Sequence, residues 1–347
     1  MTSAITRRTA LAAGLAGSLG AWAMRAQAAP GGSITVANWG GDWNDRTMRL
    51  FETPLVESQG ITIVRDLGME PERKAKMLAE RRLRRGTYDV AHLNGSDAFE
   101  MAHNDVLADL DLGKLPNYAD VVGTLKSPYF VPWLYSGVVI MSNAQKVPQP
   151  PKSYADLWDP KWRGRLGLTN QLYFNYMMMG AMVAGTGVMV GEPAMAKLLE
   201  LKRTVAPKIY ATHQALQAGL ANGEVDVAVN YKARGLQWVN DGLPLSVQYP
   251  AEGAISVVFG ACLPKRASNP EAAYFYLNAM LDRKAMADLA GASFYAPANT
   301  KASLSPEFRT RIDFTADEQA KLKQPDYDHV AKNTAAWLEW WNKNVAV

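Results

Sequence analysis

The chain of 347 residues is 48% hydrophobic and 20% charged, a globular composition spread over more residues than one core serves, so two lobes are expected. Its formal net charge of +4 includes Arg7, Arg8 and Arg25 of an acid-free N-terminal segment; without them it is +1, which gives no reason to expect a nucleic-acid partner. Cys262 is the single cysteine, which excludes an internal disulfide framework and reads as a buried small hydrophobe.

Residues 1–28 read as an export signal, with a basic start, an apolar run from Ala10, and Ala26-Gln27-Ala28 before a cleavage point. Thr6-Arg7-Arg8-Thr9-Ala10-Leu11 resembles the twin-arginine signature, an ordinary secretory signal being the alternative. Either route leads to the periplasm, and no cysteine follows the cleavage point to carry a lipid anchor. SITVANW then predicts a strand, WNDRTMRLFETPLVESQG a helix closed by Gly60, and ITIVRDLG a second strand. PERKAKMLAERRLRRG predicts a basic helix ending at Gly86, and TYDVAHLNG a third strand. This alternation is the doubly wound α/β pattern with a parallel sheet.

VPWLYSGVVIMSN predicts a long strand, and KVPQPPKSYADLW a loop entering a helix. A second α/β lobe follows: strand RGRLGLTN, helices LYFNYMMMGAMVAGTG, PAMAKLLELKRTV and HQALQAGLANG, and strand EVDVAVNYKAR. PLSVQYPAEGAISVVFGACLP predicts two more strands, ASNPEAAYFYLNAMLD an amphipathic helix, and the tail from Thr315 is helical. No flexible linker separates the lobes, so strands are expected to cross between them, with SGVVIMSN and ISVVFGACLP the candidates. A cleft then lies at the carboxyl ends of two sheets, where open α/β sheets take ligands.

Catalytic and metal signatures are missing. His92, His103, His213 and His329 stand at no ligand spacing and read as surface or satisfied core residues; no HExxH, CxxC, GxSxG or phosphate loop occurs. GTGVMVG at 185–191 follows an apolar helix and reads as a loop, and NYMMMGAMVAG as a buried helix. The run RKAKMLAERRLRRG reads as a solvated helix face, the alternative being a docking surface for a membrane partner. No cofactor is expected. What remains is polar and aromatic residues at strand ends and loops: Trp39, Gly40, Asp42, Asn94, Ser96, Asp97, Tyr135, Asn170, Tyr173, Tyr231, Lys232, Arg234, Glu252 and Tyr295. Asp42 and Asp97 are equally plausible as helix N-caps, and Trp43 as a packed residue at the start of the first helix.

In order, ANWGGDW, GTYDVAHLNGSD, VPWLYSGVVIMSN, SYADLWDPKWRGRLGLTN, LANGEVDVAVNY, YPAEGAISVVFGACLPKRASNPEAAYFYLNAML and FYAPAN resemble the periplasmic solute-binding proteins of ABC importers. The branch they resemble includes the spermidine/putrescine-binding proteins. The resemblance implies a two-lobe periplasmic-binding-protein fold of mixed, mostly parallel sheets flanked by helices and joined by a strand hinge. Lobe 1 would take 31–134 with 260–306, and lobe 2 would take 135–259 with 307–347. It also implies a monomer without catalysis that closes on a small solute and delivers it to a membrane permease. The sequence departs from the polyamine binders where they cage alkylammonium groups with aromatics and carboxylates. YPAEGAISVVFGACLP puts Val257 and Phe259 at the matching positions, the acid is missing, and Lys232 and Arg234 follow Tyr231. If either cation faces the cleft, the ligand carries an anion; an amine, an amino-acid-like zwitterion, a carboxylate and a small heterocycle all stay open. An exported enzyme on the same fold, or a binding protein feeding a membrane sensor, are the alternative functions.

Overall fold

The structure, a computed structural model, describes residues 31–346; the export signal expected over 1–28 lies outside the described residues. In chain order the elements are β1 Gly32–Asn38, α1 Asp42–Thr47, β2 Ile61–Leu67, α2 Glu70–Glu80, β3 Val90–Asn94, α3 Gly95–His103 and β4 Val131–Asn143. Then come β5 Leu166–Thr169, α4 Tyr173–Val183, α5 Glu192–Val205, β6 Lys208–Tyr210, α6 His213–Ala221, β7 Val227–Tyr231 and α7 Lys232–Asn240. The remainder are β8 Leu245–Gln248, β9 Ile255–Cys262, α8 Pro270–Met280, α9 Arg283–Ser293, β10 Ala296–Pro297, α10 Pro306–Ile312, α11 Ala316–Ala320 and α12 Tyr327–Asn344.

The strands run in the order β2-β1-β3-β9-β4-β7-β5-β6. At one end β2, β1 and β3 are parallel; at the other β7, β5 and β6 are parallel. Between them β9 and β4 are antiparallel to each other and to the blocks they meet. The sheet is therefore mixed, with two parallel halves sewn together by the pair β4/β9. β4 is buried along all of its 13 residues, about 43 Å of strand. Val131, Leu134 and Tyr135 pack in a first core, Val138 and Ile140 in a second, and Val139 and Met141 in a third on the opposite sheet face. β9 does the same, with Val258, Ala261 and Cys262 in the first core and Ile255 in the second. These are the two strands expected to cross. Ile312 and Phe314 pack in the first core, although the division expected from sequence puts 307–347 with the second lobe. α12 buries Val330, Trp337 and Trp341 in the second core, while Tyr327 at its start lies 5.8 Å from Phe99 of α3.

Three local outcomes differ from the sequence expectations. The helix expected over 43–60 becomes a π-helix over Met48–Val56 around Pro54, which lacks an N–H to give to a normal turn. It still ends at Gly60, whose φ is +83°. The basic helix stops at Glu80, not Gly86: the Glu80 carboxylate turns back to accept from Thr87 N and Oγ1, and Gly86 N donates to Arg266 O at 2.8 Å. Lys232-Ala233-Arg234, expected to continue a strand, forms the first turn of α7, held by Ala233 N donating to Ser136 Oγ at 3.2 Å. α7 lies close on β4 because Gly235 has no side chain; a Cβ there would stand 2.8 Å from Met141 Cε.

Candidate functional site

β1 ends at Asn38, whose Oδ1 accepts from Trp39 N at 2.8 Å and turns the chain out of the ladder. Gly41, with φ +66°, completes the turn in a conformation that side-chain-bearing residues rarely adopt, and α1 begins at Asp42. Trp39 and Trp43 thereby meet edge to face, with ring centroids 6.0 Å apart. β9 brings Phe259 to 5.8 Å from Trp39, and Tyr295, just before β10, stands 5.6 Å from Phe259 and 6.2 Å from Trp43. Tyr231, at the end of β7, closes the cluster at 6.0 Å from Phe259 and 6.5 Å from Tyr295. Tyr231 packs against both the first and the second core, so the cluster sits where the two meet. Edge-to-face rings of this kind present several π-faces and few polar groups.

The charges around the rings are mostly positive. The Arg73 guanidinium, on a residue 3% exposed, lies 5.3 Å from the Trp39 ring centroid, tied to His92 O and to Gly68 O. Burial depresses its pKa, and the Glu70 carboxylate is the main charge that opposes this. Arg234 reaches the Tyr295 hydroxyl, which is raised by burial and partly held down by that guanidinium. Arg234 Nη1 donates to Gln237 Oε1 at 3.0 Å, its Nε is buried without a hydrogen-bond partner, and no ion pair reaches it among the described residues. Tyr231 is also raised by burial, then by Tyr295 and Glu70. Near the start of α1, Asn38 Nδ2 and Trp43 Nε1 are further buried donors without partners, and Asn44 Oδ1 is an acceptor in the same condition. Unpaired buried donors are costly unless a ligand supplies acceptors.

His213 adds a neutral donor. Asn230 Oδ1 accepts from Tyr231 N at 2.8 Å, so its amide nitrogen faces His213 Nδ1, 3.0 Å away. That nitrogen must accept, which leaves the proton on Nε2. Burial, helped by Arg234, pulls the His213 pKa down to about 3, and the ring lies 5.6 Å from Tyr231.

Of the residues expected at a site, Trp39, Tyr231, Arg234 and Tyr295 come together. The others are engaged elsewhere. Asp42 is not an N-cap: Gly41 holds that position, and the exposed Asp42 carboxylate pairs with Arg46 at 3.0 Å. Gly40 is exposed beside Leu67. Asn94, not Asp97, caps α3, its Oδ1 accepting from Asp97 N and from Ser96 Oγ. Asp97 is held by Lys74 at 2.6 Å. Tyr173 faces that pair from α4, its pKa pushed up to about 12 by burial and then by Asp97. Tyr135 is buried and donates to Asp313 Oδ1 at 2.5 Å, and Asn170 Oδ1 accepts from Trp341 Nε1 at 2.9 Å. Lys232 turns to the Asp313 carbonyl and lies 4.6 Å from the Phe314 ring centroid. Glu252 accepts from Ser153 Oγ at 2.5 Å and from Tyr154 N at 3.1 Å, securing the loop before Ala155–Trp158. Sequence reasoning missed Arg73, Glu70 and His213 as neighbours of the rings; the one available signal was that His213 opens a helix directly after a strand and turn.

Among the described residues no three His, Cys, Asp or Glu side chains gather where a metal ion could be held, and no helix is long and apolar enough to cross a membrane. Cys262 is fully buried, and burial raises its pKa far above the range of a reactive thiolate. The arrangement is suited to holding a small molecule among rings and donors. Residues 52–319 match the family described as bacterial extracellular solute-binding protein. A spermidine/putrescine-binding periplasmic protein of Salmonella typhimurium is 23% identical over 74% of this chain and 77% of its own. Among solved structures, an ABC transporter substrate-binding protein from Bradyrhizobium japonicum superposes with a TM-score of 0.78 at 23% identity, over 90% of this chain and 99% of that one. The binding protein AgtB from A. tumefaciens R10, in complex with agropinic acid, gives 0.72 at 19% identity, over 91% and 99%. With a sheet of two parallel halves joined by crossing strands, and a family match over most of its length, the chain belongs to the bacterial extracellular solute-binding proteins.

Proposed function

We propose that the protein is the periplasmic solute-binding component of an ABC importer, and that its solute is a small organic molecule carrying a carboxylate. In this reading the signal over 1–28 directs export. Lobe 1 (31–134 with 260–306) and lobe 2 (135–259 with the C-terminal helices) close on the solute as a monomer, and a membrane permease receives it. Trp39, Tyr231, Phe259 and Tyr295 embrace the body of the solute, and Arg234 and His213 Nε2 take its carboxylate.

The observation that carries the carboxylate is Arg234, aimed at the rings with a buried Nε lacking a partner and no acid pairing it among the described residues. A guanidinium in that condition gains most from a carboxylate, which it can meet through two parallel hydrogen bonds. Glu70, half-buried near Tyr231, is the acid left to meet an amine, so an amino-acid-like zwitterion fits better than a diamine. The fold leaves the charge open, since its members include proteins named for polyamines and one solved with agropinic acid. The test is calorimetry of the exported protein against putrescine, spermidine, ω-amino acids and monocarboxylates of matched length. Saturable heat is expected from the zwitterions or carboxylates and none from the diamines; tight diamine binding with silent carboxylates overturns the reading.

A further inference from the structure

The basic run leaves a feature that solute capture does not use. α2 ends at Glu80, and Arg81-Arg82-Leu83-Arg84-Arg85 forms an exposed turn, with Leu83 52% exposed at its middle. The turn is fastened at both ends: Leu83 N donates to Glu80 O at 2.8 Å, and Gly86 N to Arg266 O at 2.8 Å. Arg266 returns the contact through Nε to Arg81 O at 3.1 Å, which adds its own charge to the same surface. The acids at hand are engaged, Glu80 with Thr87 and Asp105 with Lys265. None of Arg81, Arg82, Arg84 and Arg85 makes an ion pair among the described residues.

We infer that this turn is a docking surface for an anionic lipid bilayer, the arginines meeting headgroup phosphates and Leu83 reaching the edge of the acyl region. Two pairs of arginines flanking one exposed leucine is the chemistry of an interfacial anchor, which needs both charge attraction and a buried apolar group. A peptide partner would be expected to meet an apolar groove; the depression beside the turn, lined by Met77, Arg81, Val106 and Pro264, admits only about 10 Å³, and Arg82, Leu83, Arg84 and Arg85 stand exposed outside it. The first turn of α2 bears Glu70 and Arg73 beside the rings, so the basic turn lies about 15 Å away along the helix axis. Attachment there leaves the solute site accessible and holds the protein near the membrane surface.

The experiment is co-sedimentation of the exported protein with vesicles of phosphatidylcholine alone, or with 30% phosphatidylglycerol, at low and physiological salt. Binding is expected to the anionic vesicles alone, weakening as salt rises. Replacing Arg82, Arg84 and Arg85 together with Ser should weaken it about a hundredfold, near fivefold per arginine. Leu83→Asp should weaken it further than Leu83→Ser. Unchanged melting temperatures in all three variants establish that the fold survives. Equal binding to both vesicle types, no binding at low salt, or full binding by the triple variant overturns the inference. So does retention of the arginine-dependent interaction by an acidic membrane protein in neutral vesicles alone.

Discussion

Replacing Arg234 with Met should lower affinity steeply while leaving stability nearly unchanged. Methionine keeps the length and apolar stem of the side chain but removes the guanidinium. In the solute-bound protein this takes away charge-assisted hydrogen bonds to a carboxylate and leaves that carboxylate among aromatic rings. Truncating one partner of a buried charge pair costs about 2–5 kcal/mol, or roughly 30-fold to several-thousand-fold in Kd. In the solute-free protein the same change removes a buried Nε without a partner, worth about 1–3 kcal/mol of desolvation, and forfeits the contacts to Gln237 and to the Tyr295 hydroxyl, worth about 1 kcal/mol each. The two sides nearly cancel, so Tm should stay within about 2 °C of the parent. Calorimetry with the best carboxylate solute gives the first quantity, and a thermal melt without solute gives the second. Undiminished affinity together with a lower melting temperature would falsify the assignment, because it would make Arg234 a structural residue.

Trp39→Ala and Tyr231→Ala should each weaken solute binding tenfold or more, as removal of stacked rings does, and a titration of each variant checks this. Glu252→Gln should leave solute affinity unchanged while lowering the melting temperature by a few degrees, since its carboxylate serves Ser153 and Tyr154; a large loss of affinity would return it to the site. Stability should fall as pH drops from about 6.5 towards 3. His92 and His213 stay neutral in the fold, pulled to about 3 by burial first and then by Arg73 and Arg234 respectively, but take up protons when unfolded. Each contributes a slope of up to about 1.4 kcal/mol per pH unit in that window; the slope vanishes above the unfolded pKa, where the stability contribution is fully present. Denaturant melts across this range should show a shallower slope in His213→Gln; an identical slope in both proteins would mean that His213 is already protonated in the fold.

The legible parts of the fold are those written in local pattern. β4 begins at Val131 and ends at Asn143, as its apolar run with no charged residue predicts, and the crossing role of β4 and β9 follows from the lack of any linker. The start of α7 is not legible, because Tyr231 offers no capping side chain and Gly235 weakens the helical signal; a close approach to Met141 requires that glycine. In the candidate site, the gathering of Trp39, Tyr231 and Tyr295 is legible because large aromatics at strand ends tend to meet at one end of the sheet. The polar residues could not be sorted the same way. Whether Glu252 meets a ligand or Ser153, or Asn170 a ligand or Trp341, depends on partners 99 and 171 residues away in the chain. Arg73 escaped notice because it sits in a run of surface cations, and only the packing of α2 turns that one inward.

The placement of Arg73 behind Trp39 has a bearing on which solutes are refused. An indole attracts cations because its face carries negative quadrupole density, and here one face is already occupied by a guanidinium 5.3 Å from the ring centre. An alkylammonium laid on the other face would stand about 10 Å from Arg73 with only the ring between them. At an effective dielectric constant near 20 that repulsion is about 1.7 kcal/mol, close to a twentyfold penalty in affinity. A neutral or anionic group on the same face incurs no such penalty. As the proposed solute platform, Trp39 would carry a built-in bias, holding a flat or apolar body while turning away the second ammonium of a diamine, without any acid or clash to enforce it.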